Sequence, residues 1–160
     1  MSQLDSIFAI TAIDGRYRSK VENLAHITSE FGLIKYRTEV ECQWVLFLSD
    51  CEEIPEIPSL DKEDRAFVAA IAANFDAVGA TRIKEIEATT NHDVKAVEYY
   101  LKEQFALRPN LQAINEWVHF GCTSEDINNT AYGLMVKAGV EDVLLVHMDQ
   151  PVSYTHLTLP

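Results

Sequence analysis

Basic residues are scarce in this chain: thirteen lysines and arginines stand against twenty-five aspartates and glutamates, a formal charge of −12 over 160 residues. Nucleic-acid binding depends on neutralising phosphates with Lys and Arg, so such a field argues against a nucleic-acid partner. Any anionic ligand has to be held by a few local groups. Cysteine is sparse too. Cys42, Cys51 and Cys122 make an odd number with no C-x-x-C pair, which points away from a disulfide framework and from a zinc ribbon. The first fifteen residues lack the basic stretch and apolar core of a secretory signal, and no apolar run is long enough to span a bilayer. The expectation is a cytoplasmic protein without a membrane partner. Apolar residues make up 48%, enough to supply a core, and the length favours one domain.

The apolar positions recur with helical period. Phe31, Leu33, Ile34, Val40, Trp44, Phe47 and Leu48 predict a core-facing helix over 29–49. From Asp50 to Asp64, seven acids, one lysine, Pro55 and Pro58 predict a solvated connector rather than a cation site. Phe67, Val68, Ile71 and Phe75 predict a second helix from Lys62, and a third spans Val78 to Ile86, with Gly79 near its start. Val94, Val97, Leu101 and Phe105 form one stripe, supported by a Glu98/Lys102 pair and stopped by Pro109. A short helix over Leu111–Phe120 leads into a long one from Glu125 to Gln150. That one has Ile127, Ala131, Leu134, Met135, Ala138, Val143 and Val146 on its buried side, and Gly133 and Gly139 where another helix approaches. The fold class is all-α, with an N-terminal helical domain over 1–110 and the first long helix of a central helical bundle over 111–150. Residues 151–160 switch abruptly to β-branched and hydroxyl residues and match the translation of a sequencing adapter; they read as a non-native tail.

Two short segments share one architecture. Thr90-Asn91-His92-Asp93 and Thr123-Ser124-Glu125-Asp126 each place a hydroxyl residue three positions before an acid at the head of an apolar-periodic run. This is the capping-box pattern, in which the hydroxyl accepts from a backbone N–H and the acid reaches back to the N–H of the cap. A helix start offers unpaired donors and the positive end of a dipole, so two of them can receive two anionic groups of one ligand. A cap alone does not require Asn91 and His92 in one box, or Thr123 and Ser124 in tandem in the other. His92 by itself reads as a second cap or a surface residue, and whether Asp93 orients its ring is open. His119, ahead of Phe120-Gly121, fits a packing role and a ligand-side role equally. His26 and His147 read as structural, and Cys122 as a small packed residue rather than a nucleophile. Arg16 and Tyr17, after Gly15 at a turn, form an ordinary exposed pair whose guanidinium and hydroxyl also suit a phosphate or carboxylate.

The segments T-T-N-H-D-V-K-A-V-E-Y and H-F-G-C-T-S-E-D-I-N-N, with Asp14-Gly15-Arg16-Tyr17 before them, resemble the adenylosuccinate lyases of the fumarase/aspartase superfamily from about Ile10 to about Gln150. T-S-x-D-I-N alone indicates the superfamily; N-H-D-V-K-A narrows it. The resemblance implies substrate contacts at Arg16, Tyr17, Asn91, His92, Asp93, Thr123 and Ser124. His92 would be an auxiliary catalytic residue assisting the principal acid, while Lys95 receives no assured role. It implies a succinyl-nucleotide substrate, no cofactor, no metal and a homotetrameric full-length protein. The family's general acid lies in a T-H-G-Q-P segment and its base in S-S-x-M-P-x-K-x-N, and neither occurs here. The chain is therefore expected to be an N-terminal part without turnover of its own. Three other readings compete. Another fumarate-releasing lyase of the superfamily fits the broader motif, a noncatalytic acidic interaction module fits the composition, and a metal protein using His92, Asp93 and Glu87 has no recognised ligand spacing.

Overall fold

The computed structural model describes residues 8–148, and every regular element among them is helical. They divide into two compact units, Leu33–Leu134 and the residues on either side of it. The flanking unit holds two 3-10 turns, Arg18–Lys20 and Glu22–Leu24, then α1 (Ala25–Thr28), where Ile27 is buried. Against the second turn packs a π-helical stretch, Gly139–Leu144, which leads into α8 (Leu145–Met148). No single helix among the described residues is long and apolar enough to cross a membrane.

Between these lie α2 (Glu30–Leu48), α3 (Lys62–Ala73), α4 (Ala77–Thr90), α5 (Asp93–Phe105), the single turn α6 (Pro109–Gln112) and α7 (Ser124–Ala138). Aspartate side chains cap the starts of α3 and α4. The Asp61 carboxylate accepts from Asp64 N–H at 2.8 Å, and Asp76 accepts from Val78 and Gly79 N–H at 3.0 Å each. The α4–α5 hairpin packs along its length. It buries Val94, Val97, Leu101 and Phe105, the predicted stripe, and the Arg82 guanidinium clasps Glu103 across it at 3.0 and 2.6 Å. Glu98 meets Lys102 as expected, at 3.1 Å, and also Lys95 at 2.7 Å.

The acidic connector is largely exposed, as expected, but it is anchored at several points. Ile57 and Leu60 are buried, Arg65 grips Asp50 with two bonds, and the buried Asp64 is held by Arg108 and Asn110. Three expectations need correction. Pro109 does not stop α5, which ends at Phe105; lacking an N–H, the proline opens α6 instead. The stretch predicted as one helix over Leu111–Phe120 breaks after α6 into a 3-10 turn, Asn115–Trp117. The long helix after Glu125 widens into the π-helical stretch at Gly139. Of its predicted stripe, Ile127 and Ala131 are fully buried while Val146 is exposed. The part of that prediction beyond Met148, like the 151–160 tail, lies outside the described residues.

Close helix approach occurs at a different glycine. A Cβ on Gly133 or Gly139 would meet nothing within 4 Å, whereas one on Gly79 would lie 2.9 Å from the Tyr100 hydroxyl and 3.0 Å from the Phe75 ring. Gly133→Ala is accordingly expected to raise thermal stability, by up to about 1 kcal/mol from helix propensity. Gly79→Ala should lower it, because Phe75 and Tyr100 already meet edge to face and both rings would have to shift. Melting curves of the two variants check the contrast.

Candidate functional site

The turn between α4 and α5 is two residues long. Asn91 ends α4 in the left-handed region (φ 51°), giving its N–H to Glu87 carbonyl at 2.8 Å. Asparagine tolerates that conformation better than most residues. His92 then returns to extended backbone and caps α5, its Nδ1 accepting from Lys95 N–H at 3.1 Å. The cap is therefore His92 and not Thr90, whose hydroxyl donates to His92 carbonyl from the end of α4. With Nδ1 acting as acceptor, the hydrogen-bond pattern assigns the ring proton to Nε2, on a side chain that is half exposed.

Asp93 does not orient that ring. Its Oδ1 takes Val94 N–H at 2.9 Å and its Oδ2 takes Arg37 Nη2 at 2.7 Å, while His92 Nδ1 stays 3.8 Å away. Partial burial works to raise the Asp93 pKa, but the Val94 hydrogen bond and the Arg37 charge together outweigh it and hold the carboxyl below the ordinary aspartate range.

The second helix start forms half of the predicted box. The Asp126 carboxylate reaches back to Thr123 N–H at 2.7 Å, and the Thr123 hydroxyl, instead of capping a backbone N–H, donates to the same oxygen at 2.8 Å. These two bonds hold Asp126 below its usual pKa. The Ser124 hydroxyl and N–H make no hydrogen bond among the described residues, so they are among the donors this end leaves available. Beside it lies a groove of about 710 Å³ lined by Val40, Trp44, Phe47, Cys122, Asp126 and Leu134 among others. Cys122 is partly buried, and burial with the charges of Glu41 and Asp126 pushes its thiol upward in pKa, which disfavours the thiolate that a nucleophile needs.

Arg37 connects the two starts. It is buried on α2, gives Nη2–H to Asp93, and gives Nε–H to Asn128 Oδ1 at 2.9 Å, one turn into α7 beyond Ser124. Four residues further along α2, the fully buried Glu41 faces His119. Neither α2 residue was expected in a site. A signal was nonetheless there, since positions 34, 37, 38, 41, 45 and 48 follow the helical repeat of one buried face. Charged residues on such a face need partners. The bulky Phe47, expected on that face, is 59% exposed instead.

Asn91, His92, Asp93, Thr123 and Ser124 thus belong to one unit and are tied through Arg37. Arg16 and Tyr17 belong to the other. There the Arg16 guanidinium lies 4.6 Å over the Tyr17 ring, both side chains are exposed, and an Asp14–Arg18 pair at 3.1 Å braces the turn. Among the described residues no group of three or more His, Cys, Asp or Glu is placed to hold a metal ion.

A family model described as Lyase matches residues 15–154. An adenylosuccinate lyase of Vibrio cholerae serotype O1 is 54% identical over 143 residues, which are 89% of this chain and 31% of that protein. The corresponding proteins of Haemophilus influenzae and Escherichia coli K12 are 48% and 47% identical, over 89% and 92% of this chain and 31% and 32% of theirs. The chain spans about a third of the length of these curated relatives.

The caps generate a stability prediction. His92→Ala should cost about 1 kcal/mol, and His92→Asn, which substitutes one of the strongest capping residues, distinctly less. Asp93 adds a pH signature. Its folded pKa lies below the unfolded one, so its contribution is complete above the ordinary aspartate value and disappears as pH falls through the depressed folded value. The stability gap between wild type and Asp93→Asn should therefore close below about pH 4, as denaturant titrations at a series of pH values will show.

Proposed function

The chain belongs to the lyase family, and from that premise we propose that the full-length protein carrying it is an adenylosuccinate lyase. The reaction is a β-elimination: a base takes the proton from the carbon next to a carboxylate, the C–N bond breaks, and an acid protonates the departing nitrogen as fumarate forms. The substrates are adenylosuccinate, giving AMP, and the succinyl-carboxamide ribonucleotide of purine biosynthesis. The full-length protein is proposed to act as a cytoplasmic homotetramer.

One observation carries this reading. The two segments that resemble the family fall on two helix starts braced by a single buried arginine, and each start keeps neutral donors uncommitted. At α7 the Ser124 hydroxyl and N–H suit a succinyl carboxylate, whose charge grows in the carbanionic transition state. Donors aimed at developing charge in this way are typically worth on the order of 2.7–4 kcal/mol. At α5 the exposed His92 Nε2–H is a hydrogen-bond donor beside Asn91, consistent with an auxiliary role. Arg16 and Tyr17 contribute substrate contacts in this proposal. The general acid and base belong to motifs absent from these 160 residues, so the segment alone is proposed to bind without catalysing.

Thr123 and Ser124 give the test. In the full-length protein Thr123→Ala should lower thermal stability, because it removes the hydroxyl bond to Asp126. Ser124→Ala should leave the melting midpoint nearly unchanged and reduce fumarate release by roughly a hundredfold. Wild-type turnover in a well-folded Ser124→Ala protein would refute the carboxylate role. Absence of fumarate release by the wild-type full-length protein on both substrates would refute the reaction itself.

A further inference from the structure

Glu41 has no residual exposure, in a position on α2 that ordinarily takes an apolar side chain. Its Oε1 is 2.5 Å from His119 Nδ1, and its Oε2 has no hydrogen-bond partner among the described residues. Burial drives its pKa upward against the pull of His119, and the charge of Glu98 adds to the rise. A carboxylate kept there merely to fill space would be a poor choice, since an apolar side chain fills the same volume without desolvating a charge.

His119 is equally constrained. With φ at +65° it is, beside Asn91, one of two non-glycine residues in the left-handed region among the described residues. Three interactions hold it there. Glu41 takes the ring, Cys122 N–H donates to the His119 carbonyl at 3.2 Å, and the Trp44 indole N–H donates to the next carbonyl, Phe120, at 2.8 Å. Glu41 and Trp44 are neighbours on one face of α2, so a single helix surface sets both backbone and ring. Over-determined strain of this kind collects at functional sites. His119 sits four residues before Thr123, on the loop that leads directly into the head of α7. Its Nε2 has no protein partner among the described residues. An imidazole held through one nitrogen, with the other free, has a fixed tautomer and a fixed direction.

We propose that Glu41 is a positioning residue: its buried carboxylate accepts the Nδ1–H of His119 and fixes the ring so that Nε2 faces the ligand at the head of α7. The nature of that ligand rests on the lyase reading above, whereas the lock on the ring does not. The arrangement is the converse of His92, whose Nδ1 accepts and whose Nε2 carries the proton.

The test uses the full-length protein that carries this segment. Ring ¹⁵N shifts of His119, assigned by the signals lost in His119→Gln, should show a protonated Nδ1 in wild type. In Glu41→Gln, whose amide can donate as well as accept, the pattern should move toward protonated Nε2. Glu41→Gln should lower kcat/KM for fumarate release on the order of tenfold to a hundredfold, and Glu41→Asp should restore part of it. The Glu41→Gln/His119→Gln double variant should be no slower than His119→Gln alone. A bare Nδ1 in wild type, which needs no variant to fold, would overturn the proposal. So would ring shifts indifferent to Glu41→Gln, or single losses that simply multiply in the double variant. If the ring shifts respond as expected while the wild-type protein releases no fumarate, the lock is upheld and the lyase reading is what fails.

Discussion

A buried guanidinium cannot be left to itself. Removing Arg37 from water costs several kcal/mol, which only well-placed partners offset, and both partners given to it lie on the candidate site. Asp93, the first residue of α5, takes Nη2–H, and Asn128, in the second turn of α7, takes Nε–H. The heads of two helices more than thirty residues apart in sequence are thereby fixed to one planar group. A shift of either helix would leave part of that group unpaired, so the two starts have to move together or not at all.

The second constraint is competition between capping a helix and meeting a ligand. Asp93 is spent on Arg37 and Val94, His92 Nδ1 on Lys95, and the Thr123 hydroxyl on Asp126. What remains uncommitted is an imidazole N–H, a serine hydroxyl and backbone donors at a dipole-positive end. In a chain of charge −12, this part of the site would receive an anion through neutral donors rather than through positive side chains. Such a site would depend on directed hydrogen bonds, and the two left-handed residues, Asn91 and His119, lie on the loops that lead into its two helix starts.

Much of this was legible beforehand because helical periodicity is a strong signal. α2, α3, α4 and the stripe of α5 stand where the apolar residues put them. The first cap was misplaced because the hydroxyl-to-acid pattern describes residue types and not dihedrals. Asn91 can turn left-handed, α4 runs on through Thr90, and the histidine becomes the acceptor. The long last helix was overextended because an apolar pattern does not reveal the widening at Gly139. Arg37 and Glu41 escaped notice because charged side chains on an amphipathic helix ordinarily mark its solvent side. Only their register with Ile34, Val45 and Leu48 betrayed them.

The central claim is that Arg37 makes one unit of the two helix starts, and amide hydrogen exchange in the full-length protein tests it most directly. Arg37→Met keeps most of the side-chain volume and removes both hydrogen bonds. The account predicts that exchange at Lys95, under the His92 cap, and at Asp126, in the first turn of α7, accelerates together while the α5 core around Leu101 stays protected. Acceleration at one helix start alone, or at neither, would contradict it.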